Sequence, residues 1–264
     1  MPVLTVEGAA IAFDDAGAGD PVLLLHGFPT TRRLWSGVAP ALVQAGFRVL
    51  SPDLVGYGES TCPPTGEPDL SSQARWMVGL LDALGIDRFS LVAHDIGTAA
   101  AQLMLVGASH RVRGVVLMDG VLGGEWAMDA VAPIRDWTEP ARLHKVLVRQ
   151  LRASGADGRL DEDVVRGVLA AYEGADGGAR LIRAARAMRP EQTAGILPAL
   201  RAARVPARIL WGDRDAYLGA EAVGRPLAEV LGARLVLLPS GHFLPLERPD
   251  LVAAEVLAFL RGRA

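Results

Sequence analysis

The chain has little of what marks secreted, membrane-spanning or nucleic-acid-binding proteins. Among its 264 residues Cys62 is the single cysteine, which excludes an internal disulfide and fits a reducing compartment. A net charge of -3 at pH 7 gives no electrostatic basis for binding nucleic acid or an anionic membrane. No apolar run approaches the roughly 20 residues that a membrane-spanning helix needs, and the N-terminus lacks the basic start of a secretory signal. We therefore expect a cytoplasmic protein.

Hydrophobic residues make up half of the chain, which is enough for one sizeable core. Short apolar runs alternate with longer helical patterns over residues 21–118 and again from residue 191 to the end. This alternation predicts a parallel sheet with helices on both faces. Residues 3–6 and 10–13 are expected to pair as antiparallel edge strands.

The strand signal disappears between residues 123 and 190, where the sequence is rich in arginine and has helical periodicity. We predict that residues 123–190 form a helical cap inserted into a core of residues 1–122 and 191–264. Such a cap would lie over the carboxyl ends of the strands, exclude water and contact the substrate.

The most informative motif is LVAHDIG at residues 91–97, where an apolar strand runs into a tight turn and then an alanine-rich helix. A nucleophile on such a turn needs small neighbours, and Ala93 and Gly97 meet that need. The N-terminus of the following helix favours negative charge. Asp95 is therefore a candidate nucleophile that would form an alkyl ester by attacking a saturated carbon. The alternative is that Asp95 only caps the helix.

Other polar loops also follow predicted strands. They are HGFP at 26–29, DLVGYGES at 53–60, GDRD at 212–215 and SGHF at 240–243. The carboxyl ends of parallel strands are where open sheets place ligand sites. The chain order of nucleophile, acid and histidine is the order of a hydrolase.

With these motifs the chain resembles the α/β-hydrolase superfamily, in its aspartate-nucleophile branch of epoxide hydrolases and haloalkane or haloacid dehalogenases. The resemblance covers nearly the whole length and rests on HGFP, DLVGYGES, LVAHDIG and SGHFLPLERPD. It implies an α/β-hydrolase fold with a mostly parallel eight-stranded sheet and a helical cap. It also implies a small-molecule substrate, no cofactor, no metal, and a monomer or homodimer.

The resemblance assigns roles to the polar residues at the strand ends. His242 would activate the water that hydrolyses the ester, unless it is an ordinary loop histidine. We favour Asp215 as the acid that orients His242, because it holds the usual superfamily position. Asp119 holds the position used by several dehalogenases and is the alternative, and the other aspartate would brace a loop or cap a helix.

Backbone N–H groups would supply the oxyanion hole. The amides of Phe28 and Ile96 are expected near Asp95, where they would hold the intermediate of ester hydrolysis. His26 is expected to brace its own loop.

The four motifs are less specific for the leaving group than for the fold. Haloalkane dehalogenases have Asn where this chain has Phe28 and Trp where it has Ile96, and fluoroacetate dehalogenases have Arg after the nucleophile. Here Ile96 follows Asp95, and Arg32 or Arg33 could take the place of that arginine. We expect both to be solvated at the surface. In the cap, His144 and Tyr172 are candidates to protonate an epoxide oxygen, or else ordinary helix residues.

A second cap tyrosine, usual in epoxide hydrolases, is replaced by the region of residues 181–183. We nevertheless expect a hydrolase that opens an epoxide to a diol through an aspartyl ester. Hydrolytic dehalogenation is the first alternative. A fold recruited as a lyase, a cyclase or a binding protein is the second.

Overall fold

The computed structural model describes residues 2–124, 126–157 and 160–262. In these ranges eight strands form one sheet with the order β1-β2-β4-β3-β5-β6-β7-β8. The strands are β1 (Val3–Val6), β2 (Ala9–Ala16), β3 (Pro21–Leu25), β4 (Arg48–Pro52), β5 (Phe89–His94), β6 (Val112–Met118), β7 (Ala207–Gly212) and β8 (Arg234–Leu238).

The sheet is parallel from β4 to β8, and β2 pairs in the antiparallel sense with both β1 and β4. The predicted edge pairing is confirmed, with Val3 opposite Ala12 and Val6 opposite Ala9. Because β5 lies in the interior of the sheet between β3 and β6, the loops that follow these three strands meet at one edge.

The helices cover both faces of the sheet, as the alternation of residues in β3 shows. Val22 and Leu24 pack in one hydrophobic cluster, and Leu23 and Leu25 pack in the other. Successive side chains of a strand point to opposite faces, so each cluster fills one side. The helices are α1 (Ala39–Gln44), α2 (Leu70–Ala83), α3 (Ile96–Ala108), α4 (Ala132–Arg135), α5 (Pro140–Ala153), α6 (Glu162–Leu169), α7 (Gly174–Ala187), α8 (Leu197–Ala203), α9 (Arg225–Leu231), α10 (Leu244–Glu247) and α11 (Pro249–Arg261).

Four of these helices, α4 to α7, fall within residues 123–190, which we call the cap segment. In the cap segment α5 begins at Pro140, which has no N–H to lose at a helix start. Its buried leucines, Leu143, Leu147 and Leu151, are four residues apart and therefore lie on one face. This element order agrees with the predicted division into core and cap, which stays a prediction.

No helix in the described ranges is both long and apolar enough to span a membrane.

Candidate active site

Asp95 lies at the turn between β5 and α3 in an unusual backbone conformation. Its φ is 52° and its ψ is -127°, a region that a residue with a side chain seldom adopts and that costs on the order of 1–3 kcal/mol. Among the described residues, its carboxylate makes no side-chain capping bond further into α3. The strained turn instead presents the carboxylate to the loop after β3, where the amide of Phe28 binds it.

Two glycines let the backbone approach this turn. A Cβ atom on Gly27 would lie 2.3 Å from the Cβ of Asp95, and one on Gly97 would lie 2.5 Å from the carbonyl oxygen of His26. Neither distance is possible for a real side chain, so the loop after β3 can pack on the turn at Asp95 only because glycine occupies both positions. This packing brings the amide of Phe28 to Asp95.

The two expected oxyanion-hole donors lie at the Asp95 carboxylate. The backbone N–H of Phe28 donates to Oδ1 of Asp95 over 2.6 Å. Burial alone would raise the pKa of Asp95, but the attraction of His242 and His94 and the hydrogen bond from the amide of Ile96 lower it below its ordinary value. Asp95 is therefore an ionised carboxylate at neutral pH.

His242 follows β8 and lies between two aspartates. Its Nδ1–H donates to Oδ2 of Asp215 over 2.9 Å, and its Nε2 lies 3.7 Å from Oδ2 of Asp95. The amides of Tyr217 and Leu218 donate to the other oxygen of Asp215. These two bonds fix the carboxylate that orients the histidine.

Asp119, the alternative acid, does not contact His242. Its Oδ1 accepts from the amide of Gly212 over 2.8 Å, and its Oδ2 has no hydrogen-bond partner among the described residues. Burial, and after it the charge of Asp215, raises the pKa of Asp119 well above its ordinary value. The structure thus places Asp215 at the histidine and gives Asp119 the loop-bracing position.

The two carboxylates control the charge of His242. Burial alone would lower its pKa, but the attraction of Asp215, and then that of Asp95, raises it well above the ordinary value. The charged form of His242 is therefore stabilised while Asp95 carries its negative charge. Loss of that charge would remove one of the two contributions that raise the pKa of His242.

His94, directly before Asp95, also contacts the loop that carries His242. Its Nε2–H donates to the carbonyl oxygen of His242 over 2.8 Å. Burial, and after it the nearby charge of His242, lowers the pKa of His94 to about 4. His94 therefore stays neutral near pH 7 and holds His242 by its backbone. The sequence analysis did not assign this role to His94, although the residue directly precedes Asp95 in the LVAHDIG motif.

A narrow cavity of about 90 Å³ opens on Asp95 and His242. Its wall is largely apolar and combines core and cap-segment residues: Val121, Trp126, Met128, Ile134, Leu147, Leu151, Met188 and Phe243. Tyr217 and Gln150 add polar groups, and the ring of Tyr217 meets the ring of His242 edge to face with centroids 5.2 Å apart. The sequence analysis missed Tyr217, Gln150 and this apolar wall.

The two predicted cap donors lie outside this cavity. Tyr172 is fully buried, and its hydroxyl donates to the carbonyl of Thr30 and accepts from the amide of Gly58. His144 lines a separate open groove of about 790 Å³ with charged residues such as Lys145. Helical periodicity could not decide which of His144 and Tyr172 faces the active site. In the structure neither residue lines the cavity at Asp95.

Two loop residues near the site have structural contacts. Arg32 is 7% exposed and pairs with the buried carboxylate of Asp53, so its expected place on the solvated surface is wrong, whereas Arg33 is exposed. His26 accepts from the amide of Leu54 over 2.9 Å, and burial lowers its pKa. As expected, His26 braces its loop.

Comparisons with known proteins agree with this architecture. Residues 20–156 match the model of the alpha/beta hydrolase fold family. Haloalkane dehalogenase 2 of Mycobacterium tuberculosis is 31% identical over 270 residues, which cover 94% of this chain and 90% of that protein. Bifunctional epoxide hydrolase 2 of Sus scrofa is 39% identical over 118 residues, which cover 44% of this chain and only 21% of that protein.

The fold is shared with solved structures along its whole length. An esterase from Thermogutta terrifontis superimposes with a TM-score of 0.84, covering 100% of this chain and 99% of that one, at 24% identity. A likeness at this identity bears on the fold alone, and the predicted eight-stranded α/β-hydrolase fold is confirmed. The chain belongs to the α/β-hydrolase fold family and is a hydrolase related to haloalkane dehalogenases and epoxide hydrolases.

Proposed function

We propose that the protein is a hydrolase that uses Asp95 as a nucleophile and forms a covalent alkyl ester. One observation carries the proposal. An ionised carboxylate at a strained turn has one oxygen held by the amide of Phe28 and the other facing His242 at the cavity. A carboxylate needs no base to attack a saturated carbon, so the histidine is free for a later step.

The first step is alkylation. Oδ2 of Asp95 attacks a carbon of an epoxide, the carbon–oxygen bond breaks, and its electron pair goes to the epoxide oxygen, which must gain a proton. Among the described residues of the cavity wall, Tyr217 has the only hydroxyl. We assign this donor role to Tyr217 in place of His144 and Tyr172. The step leaves Asp95 as a neutral ester.

The second step is ester hydrolysis. With the charge of Asp95 gone, only Asp215 continues to raise the pKa of His242. The histidine can then release its proton, which replaces the one that Tyr217 gave to the epoxide oxygen, and act as a base.

Neutral His242 takes a proton from water, and the water oxygen attacks Cγ of Asp95. The amides of Phe28 and Ile96 hold the oxyanion. Collapse breaks the bond between Cγ and the ester oxygen, and the leaving alkoxide takes a proton from His242 to give the diol. The new carboxylic acid returns its proton to His242, which restores the carboxylate.

The lining of the cavity favours an epoxide over a halide. The side chains of Phe28 and Ile96 are apolar, and the indole N–H of Trp126 donates to the carbonyl of Gly123 over 2.8 Å. None of these three side chains offers a free N–H to a departing halide, and the side-chain amide of Gln150 is the group of the described wall to test for that role. Hydrolytic dehalogenation is the second candidate, because a haloalkane dehalogenase matches almost the full chain.

The size of the cavity favours small substrates. An apolar cavity of about 150 Å³ holds a benzene ring, and the cavity at Asp95 measures about 90 Å³. We therefore expect epoxides with a few carbon atoms to react best.

The test is a matched panel of small aliphatic epoxides and haloalkanes, assayed for diol and for halide. We expect diol from at least one epoxide, no turnover by Asp95→Asn, and unchanged turnover by Asp136→Asn, since Asp136 lies exposed on the cap segment. Tyr217→Phe should slow alkylation by epoxides more than ester hydrolysis. Halide without diol would favour the second candidate. No product on either panel would contradict both.

A further inference from the structure

Glu247, at the end of α10, receives three backbone hydrogen bonds on one carboxylate. Its Oε2 accepts from the amides of Ala156 over 2.7 Å and Gly241 over 2.9 Å. Its Oε1 accepts from the amide of Phe243 over 3.2 Å. Both oxygens of the Glu247 carboxylate, which lies in the SGHFLPLERPD motif, therefore accept hydrogen bonds from main-chain amides.

These donors come from two different parts of the chain. Gly241 and Phe243 are the immediate neighbours of His242, so two of the bonds fix the loop that carries the histidine. Ala156 belongs to the cap segment, three residues beyond the end of α5. The same helix supplies Leu147 and Leu151 to the cavity wall. Glu247 thus joins the histidine loop to the helix that covers the substrate cavity.

The cap segment passes directly against this loop. A Cβ atom on Gly241 would lie 2.9 Å from the carbonyl oxygen of Ser154 and 3.0 Å from the amide nitrogen of Ala156. A second link is exposed to solvent: Arg214 reaches the carbonyl of Ala156 at 3.4 Å and pairs with the exposed carboxylate of Asp157 at 3.0 Å. Exposed ion pairs contribute little. The part-buried Glu247 bonds are therefore the main polar link at this contact.

We infer that Glu247 is a positioning residue, which sets the His242 loop and couples it to the docked end of α5. A carboxylate suits this place because it only accepts, and three donors converge on it. An amide would turn an N–H group towards at least one of these donors. The kinetic consequence drawn here rests on the proposed aspartyl-ester mechanism, whereas the structural link does not.

The link is tested by backbone amide hydrogen exchange of the full chain. In Glu247→Gln and Glu247→Ala we expect the amides of Ala156, Gly241 and Phe243 to exchange about tenfold faster, since each loses a charge-assisted bond. Glu229→Gln, a matched change at an exposed glutamate, should leave them unchanged. Unchanged exchange in both folded Glu247 variants would overturn the link.

Kinetics then separate positioning from simple destabilisation. With an epoxide that the wild type converts, Glu247→Gln should slow ester hydrolysis about tenfold more than alkylation, because only hydrolysis needs His242 in place. Esterified Asp95 would then accumulate during turnover. Equal slowing of both steps would overturn the positioning of His242. If neither the wild type nor His242→Gln ever forms an ester, the proposed function fails, and amide exchange still decides the link.

Discussion

Nε2 of His242 lies 3.7 Å from Oδ2 of Asp95, too far for a hydrogen bond and close enough for strong attraction between charges. The two side chains are almost completely shielded from water, with 5% and 13% of their surfaces exposed. Each therefore stabilises the charged form of the other. Alkylation of Asp95 would break this mutual support, and the proposed two-step reaction depends on that change.

Removing the charge of Asp95 should lower the pKa of His242. Asp95→Asn keeps the size of the side chain and imitates the neutral ester, so the imidazole should release its proton at a lower pH than in the wild type. NMR titration of the ring would measure this. Asp136→Asn, the same substitution at an exposed aspartate of the cap segment, serves as the control. An unchanged titration would mean that the ester does not free the base.

The two candidate acids should differ sharply in their effect on turnover. Asp215→Asn removes the acceptor for Nδ1 of His242, and loss of the correct tautomer can cost up to about 10⁴ in rate. Asp119→Asn is expected to cost far less. Asp119 bonds only the amide of Gly212, and its raised pKa already favours the neutral acid, which an asparagine resembles.

Steady-state assays of both variants, with circular dichroism to show that each is folded, give the comparison. A larger loss in Asp119→Asn would assign the relay to the end of β6 instead of the end of β7.

Tyr172 should matter for stability and not for the chemical steps. Tyr172→Phe leaves the carbonyl of Thr30 and the amide of Gly58 without their buried partner, which costs about 1–3 kcal/mol in the free energy of unfolding. Chemical denaturation would measure the loss. Wild-type stability together with slow alkylation would return Tyr172 to the active site, as the sequence suggested.

His94 should make the protein less stable in mild acid. Its pKa is about 4 in the folded protein and about 6.5 in the unfolded chain. Between these values the unfolded state binds the proton and the folded state does not. The contribution of His94 is therefore complete above pH 6.5 and falls by about 3 kcal/mol as the pH drops to 4.

The raised pKa of Asp119 makes the folded protein more stable as the pH falls, which opposes the effect of His94. A plot of unfolding free energy against pH for the wild type alone would therefore mix the two effects. We therefore compare the wild type with His94→Gln, which retains Asp119 and an N–H donor for the carbonyl of His242. The difference between their unfolding free energies should narrow from pH 6.5 to 4. A constant difference would contradict the buried neutral state of His94.

The sequence predicted the sheet and the nucleophile turn because both depend on local patterns. The apolar run 21–25 became β3, and the turn at 95 follows β5, as the change from strand to helix periodicity required. The order of the motifs then put Asp95 and His242 at the same sheet edge. Parallel strands end on one side, so this placement needed no knowledge of the loops.

The sequence favoured Asp215 over Asp119 by family resemblance, but local patterns could not decide between them. Both follow a strand, and only the path of the loop at 213–218 decides which carboxylate reaches Nδ1 of His242. The cap presented a similar problem. Helical periodicity identifies an apolar face, but the rotation of each helix decides whether His144 or Tyr172 points at Asp95, and neither does. Glu247 was visible in the motif, but its three donors are main-chain groups that carry no sequence signal.

The covalent ester on Asp95 is the central claim, and intact-mass spectrometry of His242→Gln tests it most directly. With an epoxide that the wild type converts to diol, this variant should gain the mass of one substrate molecule, located by peptide mapping at Asp95. The double variant Asp95→Asn/His242→Gln should stay unmodified under the same conditions. A folded His242→Gln protein that binds the substrate and gains no mass would contradict the account.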